Sequence, residues 1–207
     1  MKVIGITGGI GSGKSSVVDI LRTLGWIVYS SDETAKLLMD TDPTLQEELL
    51  AAFGPDVISD GRIERAVLAA RVFGTGEQQK HDLATLNRLV HPRVIQHHLE
   101  LLEQHDEEGT ELVAIESALL FEVGLEDGFD YVILVDAEPE IRIQRVIDRS
   151  GLTREHIEAR MREQMSPEEK RGLADFVIEN NGTVEQLQRA TEAIASIVAL
   201  MPELDVS

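Results

Sequence analysis

Apolar residues along this chain follow two rhythms. In five short stretches they run almost without interruption: Lys2 to Thr7 (KVIGIT), Trp26 to Tyr29, Leu112 to Ile115, Tyr131 to Val135 and Asp175 to Ile178. Runs this short, rich in Val and Ile and bounded by turn residues, predict strands. Where no position is polar, as from Tyr131 to Val135, they predict strands buried on both faces. Elsewhere apolar residues recur at helical spacing. Val17, Val18, Ile20, Leu21 and Leu24 predict a helix soon after the first strand, and Leu83, Leu86, Leu89 and Val90 belong to a mostly helical region from Glu33 to about Gln104. Breaks in that region are expected at Thr41-Asp42-Pro43, Gly54-Pro55, Asp60-Gly61 and Gly74-Thr75-Gly76, and QHDEEG from Gln104 to Gly109 reads as a polar linker. Two further helices are predicted from Pro139 to Arg149 and from Thr153 to Met165, joined at Ser150-Gly151. A last helix is announced by Thr183 with Gln186 three residues on, the pattern of a capping box. Strands alternating with helices predict an α/β fold, a doubly wound parallel five-stranded sheet whose ligands sit at the carboxyl ends of the strands.

That rule draws attention to the segment after the first strand, GGIGSGKS from Gly8 to Ser15. Its spacing fits G-x-x-x-x-G-K-[ST], with Gly8 and Gly13 as the fixed glycines. Glycines let successive backbone N–H groups turn inward as an anion nest, and the helix opening near Gly13 points its positive end at the same spot. Lys14 brings a charge to the β/γ-phosphates of a nucleoside triphosphate, and Ser15 offers an oxygen to Mg²⁺. Gly9, Ile10, Gly11, Ser12, Gly13, Lys14, Ser15 and Ser16 are therefore the candidate ATP-binding residues. The dinucleotide fingerprint G-x-G-x-x-G is not met. Asp106 and Asp148 each open a D-x-x-G, but no N-K-x-D follows, which argues against a guanine-specific switch.

Composition narrows the reading. The chain has 207 residues, 43% of them hydrophobic, which suits one compact α/β unit with small insertions. No secretory leader is expected, since the first apolar run breaks at once into glycines. The longest apolar stretch, Ala193 to Met201, is too short to span a bilayer. The absence of cysteine excludes a disulfide framework and fits the cytoplasm. A net charge of −19 with no basic stripe argues against a nucleic-acid partner and requires local basic groups to hold ATP.

Strand ends supply those groups and the carboxylates. Asp32, just past the second strand, is the candidate base for an attacking hydroxyl, or alternatively the N-cap of a helix starting at Glu33. Glu116 ends the third strand and could order water around Mg²⁺; Asp136 ends the fourth and is the runner-up. Arg142, Arg145 and Arg149 fall on one helix face, and Arg154, Arg160 and Arg162 continue in the next helix. Developing γ-phosphoryl charge needs such a clamp, although Glu138, Glu140, Asp148, Glu155 and Glu158 are present to pair with it. The six histidines show no metal spacing.

These residues resemble the dephospho-coenzyme A kinase family over nearly the whole chain. Beyond the loop, the resemblance is carried by Leu24-Gly25 leading to Ser31-Asp32 with Ala35-Lys36, by Val90-His91-Pro92, and by Leu119-Leu120-Phe121-Glu122. It continues through Gln144-Arg145 with Arg149, Arg160 with Gln164, and Ala174 to Asn180. The resemblance implies ATP-dependent phosphorylation of the ribose 3′-hydroxyl of dephospho-coenzyme A, with Mg²⁺. A monomer or weak homo-oligomer with no membrane partner is expected. It implies a P-loop kinase core (residues 1–31, 110–138 and 166–207), a helical substrate domain (32–109) and a short helical lid (139–165). By position it makes Asp32 the base and Lys14 and Arg145 phosphate ligands, and it sets Asn180 and Asn181 near adenine. Asp32, Lys36, His91, Leu119 and Phe121 become the acceptor contacts. The chain departs from the family pattern at Ser30, where many relatives are acidic, at Glu116 in place of aspartate, and at Ala118 in place of proline. Another small-molecule or nucleoside monophosphate kinase, and an ATP-sensing module without turnover, remain as alternatives.

Overall fold

A computed structural model describes residues 1–59, 61–74 and 76–204. Two of the expected breaks include Asp60 and Thr75, which lie outside the described residues. In chain order the elements are β1 (Lys2–Thr7), α1 (Lys14–Thr23), β2 (Ile27–Ser30), α2 (Ser31–Thr41), α3 (Pro43–Phe53), β3 (Ile58–Ser59), β4 (Arg62–Ile63), α4 (Arg65–Val72) and α5 (Glu77–Glu107). Then come β5 (Leu112–Glu116), β6 (Tyr131–Asp136), α6 (Pro139–Ser150), α7 (Arg154–Arg162), α8 (Pro167–Leu173), β7 (Phe176–Glu179) and α9 (Val184–Leu200). They fall into two compact units, Met1–Ser30 with His105–Ser207, and Ser31–Gln104.

The first unit is built on a five-stranded sheet of order β2-β5-β1-β6-β7. Every pairing is parallel, as the apolar runs and the helices between them require. Ile4 and Ile6 of β1 point into a core shared with Val17, Val18 and Leu21 of α1 and Leu187, Ala195 and Val198 of α9. The opposite face closes over Leu120, Phe121 and Val132. There a side chain at Gly5 would run into Leu120, which is why β1 carries a glycine mid-strand. Ile143 and Val146 of α6 and Ile157 of α7 form a smaller cluster that also takes in Ile10 of the phosphate loop. Thr183 and Gln186 do form a capping box at the start of α9.

The second unit has its own core, made of Leu45, Leu49 and Phe53 of α3, Leu68 and Val72 of α4, and Val90 and Val94 of α5, with Val57 and Ile63. Several expectations need correction here. The polar stretch from Gln104 is no linker: α5 runs on through Glu107, because its charged residues sit on the solvated side of a helix already nucleated by a long packed stretch. The β3–β4 hairpin and α8 were not anticipated. Strands of two residues are too short to show alternation, and α8 is marked chiefly by the Ser166–Glu169 capping box rather than by apolar periodicity. The helix expected from Thr153 to Met165 spans Arg154–Arg162, with Thr153 at its N-cap.

Candidate active site

The phosphate loop leaves β1 at Thr7 and enters α1 at Lys14, with Gly13 at the N-cap in the left-handed region (φ 99°). Inside the loop, Ser12 N–H donates to the Gly9 carbonyl at 3.1 Å, and Ser16 N–H donates to the Gly13 carbonyl at 3.1 Å. The glycines are required by what lies against them. A Cβ at Gly9 would land on the Arg142 guanidinium, one at Gly11 on the Arg142 backbone, and one at Gly13 on the Asn180 side-chain amide. The loop is thus moulded on α6 and on the end of β7.

Arg142 and Arg145, one turn apart on α6, do different work. Arg142 is 4% exposed, and its Nε donates to the Ile10 carbonyl at 2.9 Å. Burial lowers its pKa from the ordinary value, opposed by nearby Asp136, and its cation buttresses the loop from behind. Arg145 is half-buried, with long contacts to the Ser12 carbonyl (3.5 Å) and Asn180 Oδ1 (3.3 Å). Such loose bonds leave a guanidinium ready to exchange partners. Arg149 is exposed, and Arg154 is taken up by Glu140 and by Glu158 at 3.2 Å, so for Arg154 the carboxylate pairing holds. Burial also lowers the pKa of half-buried Arg160.

Lys14 Nζ donates to the Gly8 carbonyl at 2.8 Å and lies 3.9 Å from Glu116 Oε1. Glu116 is 8% exposed, and its Oε2 accepts from the Ser30 hydroxyl at 2.7 Å. Ser15 and Ser16 are exposed at the start of α1. Exposed Ser15 and the Glu116 carboxylate are hard oxygen donors beside an anion cradle. That set fits Mg²⁺, which keeps most of its water and needs few protein ligands.

Other expected site residues are placed differently. Asn180 is 5% exposed, and its Nδ2 donates to the Ser12 carbonyl at 2.8 Å while its Oδ1 meets Arg145, so it braces the loop. Asn181 is exposed, and its Oδ1 accepts from Glu138 N–H at 2.7 Å. Phe121 is 4% exposed and packed with Leu120 and Val132; Leu119 beside it is half-buried. Asp136 spends its carboxylate on Ala137 N–H and on Arg171 at 2.8 Å, which makes it a structural anchor.

In the second unit, α2 begins at Ser31, so Asp32 stands in its first turn and is not the N-cap of a helix starting at Glu33. Asp32 and Lys36 are both exposed, at the i, i+4 spacing that puts them on one face, while Thr34 is buried beneath and meets His98 Nε2 at 3.0 Å. His91 is half-buried on α5, and burial lowers its pKa. Two contributors escaped the sequence reading of the site. Gln164 Oε1 accepts the Ile10 N–H at 3.0 Å, and Lys170, 2% exposed, pairs with Glu122 at 2.8 Å while Glu122 also accepts from Met165 N–H. Gln164 had a signal in its pairing with Arg160 in the motif; Lys170 had none, because buried charges cannot be told from solvated ones by composition.

A parallel sheet with a lysine-bearing phosphate loop after its first strand, braced by an arginine helix, defines a P-loop small-molecule kinase. Comparison with known proteins narrows the class. The dephospho-CoA kinase family model matches residues 2–186. A dephospho-CoA kinase of Corynebacterium diphtheriae is 40% identical over 190 residues, covering 91% of this chain and 93% of that one. Among solved structures, a Thermus thermophilus protein has a TM-score of 0.77 at 40% identity, covering 97% of this chain and 98% of that chain. A dephospho-CoA kinase from Campylobacter jejuni has a TM-score of 0.70 at 26% identity, covering 96% and 98%. The chain belongs to the dephospho-CoA kinase family.

Proposed function

We propose that this chain transfers the γ-phosphoryl group of ATP to the ribose 3′-hydroxyl of dephospho-coenzyme A, giving coenzyme A. The observation that carries the reading is the loop from Gly8 to Ser15, braced by Arg142 and Asn180 and served by Lys14 and Arg145, in a chain matched by the family from residue 2 to 186. The loop N–H groups and Lys14 hold the β/γ-phosphates, and Arg145 turns from its long contacts to the charge that develops on the transferring group. Ser15, with Glu116 behind it, would hold Mg²⁺, which supplies charge neutralisation on the phosphates when bound. Asp32 accepts the proton of the attacking hydroxyl. An exposed carboxylate in the first turn of a helix, two residues past the end of β2, supports that role, and Lys36 on the same face supports acceptor binding. His91, Leu119 and Phe121 are further proposed acceptor contacts, and Asn180 and Asn181 proposed adenine contacts, each on the family resemblance. Residues 139–165, carrying the arginine row, serve as a lid that excludes water during transfer. The chain works in the cytoplasm, a reading supported by a cysteine-free composition that suits a reducing compartment, and acts as a monomer or weak homo-oligomer.

A coupled assay offers dephospho-coenzyme A beside nucleoside monophosphates and shikimate, with ATP and Mg²⁺. Turnover with dephospho-coenzyme A, and phosphate on the 3′ oxygen by ³¹P NMR, is expected. Turnover with a nucleoside monophosphate alone would overturn the acceptor, and ATP binding without any acceptor-dependent turnover would make the chain a sensor.

A further inference from the structure

Ile10, inside the phosphate loop, is held by three of its groups at once. Its N–H donates to Gln164 Oε1 at 3.0 Å, and its carbonyl accepts from Arg142 Nε at 2.9 Å. Its side chain packs among Ile143 and Val146 of α6 and Ile157 and Met161 of α7. Ile10 thus faces the helices, and the cradle for phosphate lies nearer the start of α1, where Ser15 and Ser16 are exposed. Gln164 stands two residues past the end of α7, and its own root is anchored. Met165 N–H donates to Glu122 Oε1 at 3.0 Å, and the same oxygen takes the Lys170 ammonium at 2.8 Å. Lys170 is 2% exposed, so this charge-assisted contact is poorly screened and fixes the backbone beside Gln164. A carboxamide on such a root reaches its donor with little freedom left to lose.

We infer that Gln164 is a positioning residue for nucleotide binding: through the Ile10 N–H, and together with Arg142, it holds the phosphate loop in the shape that receives phosphate. The inference rests on the proposed function only in taking ATP as the loop's ligand. A loop that is already set loses little freedom when phosphate arrives, whereas a loop released from Gln164 has to be ordered by the nucleotide, at a cost in affinity. The opposite role, an amide oxygen standing where a phosphate oxygen binds, would need Ile10 to open onto the cradle. Its carbonyl and side chain are both committed to α6 and α7.

The test is calorimetric binding of a non-hydrolysable ATP analogue and, separately, of inorganic tripolyphosphate, each with Mg²⁺, to variants shown by thermal melts to be folded. Gln164→Met keeps the length of the side chain and removes the acceptor. Both affinities are expected to fall about fivefold, the scale of one neutral hydrogen bond. Gln164→Glu keeps an acceptor at the same reach. Compared with the unmodified chain at high salt, which screens its added charge, it is expected to recover most of the loss. Tighter binding by Gln164→Met would overturn the inference and make the amide a plug that phosphate displaces. Unchanged affinity would overturn it too, and so would equal losses in the Met and Glu variants, which would assign the effect to packing instead of the acceptor. Acceptor turnover by the unmodified chain is measured separately. Its absence alongside normal nucleotide binding would overturn the proposed function and leave this inference intact.

Discussion

Asp32 shows how one backbone detail changes the meaning of a side chain. As the N-cap of a helix it would hold the chain's local structure, and its replacement would cost stability. In the first turn of α2, which starts at Ser31, the carboxylate is exposed and interacts favourably with the helix's positive end. Asp32→Asn is therefore expected to cost no more than about 1 kcal/mol in denaturant unfolding, the scale of that dipole interaction. Loss of the proton acceptor should lower kcat by roughly 10²- to 10⁴-fold, nearer the lower figure because the transition state of phosphoryl transfer is loose. ATP affinity measured by titration should stay the same or rise as a negative charge leaves. A destabilised but fully active variant would return Asp32 to a structural role and move the search for the base to Glu116.

The helix α6 carries a division of labour that its sequence spacing hides. Arg142, Arg145 and Arg149 lie on one face, yet the first is buried against the loop, the second half-buried beside it and the third in solvent. The gradient arises because the loop crosses only the first turns of α6, where Gly9 and Gly11 lack the side chains that would hold Arg142 away. Arg142→Met leaves the Ile10 carbonyl unpaired in a packed setting. It is expected to lower stability by about 1–3 kcal/mol and to weaken ATP binding with it. Arg145→Met should do the reverse, with thermal unfolding almost unmoved and kcat reduced by about 10²-fold or more. Arg145→Lys should recover little, since an ammonium lacks the planar fork. If both variants lose stability equally, Arg145 is a brace like its neighbour.

Across the molecule, acid is the expected weakness of the second unit. His98 is 6% exposed on α5 with Thr34 against it, and burial, aided by neighbouring His97, lowers its pKa from 6.5 to about 4. Half-buried His91 is shifted in the same direction. A group whose folded pKa is lowered binds its proton more readily when unfolded, so its contribution is complete above pH 6.5 and is lost as pH falls towards 4. The full shift corresponds to about 3 kcal/mol. Urea midpoints measured from pH 7 to 4 should fall across that window, and His98→Gln, which can still reach Thr34 without titrating, should flatten the fall. A slope as steep in the variant as in the unmodified chain would assign acid sensitivity to other groups. The net charge of −19 adds repulsion throughout, so added salt should soften the acidic surface without removing the His98 window.

The five strands, their parallel arrangement, the phosphate loop and the start of α1 were all legible in the residues. Each rests on local physics: continuous apolar runs make buried strands, and a glycine nest needs glycines at set positions. Family motifs extended that reading to the acceptor class. The β3–β4 hairpin was hidden because strands of two residues have no period, and the end of α5 because solvated charges look the same on a helix as in a linker. Tertiary packing alone separated Arg142 from Arg145, bound the Asn180 amide to the Ser12 carbonyl and buried Phe121 in the core. It also paired Ser30 with Glu116 across two strands far apart in sequence. Residue type and spacing state which groups a chain can offer; only the fold brings distant segments within a hydrogen bond of each other, and so decides which groups are consumed in holding the site and which remain for the substrate.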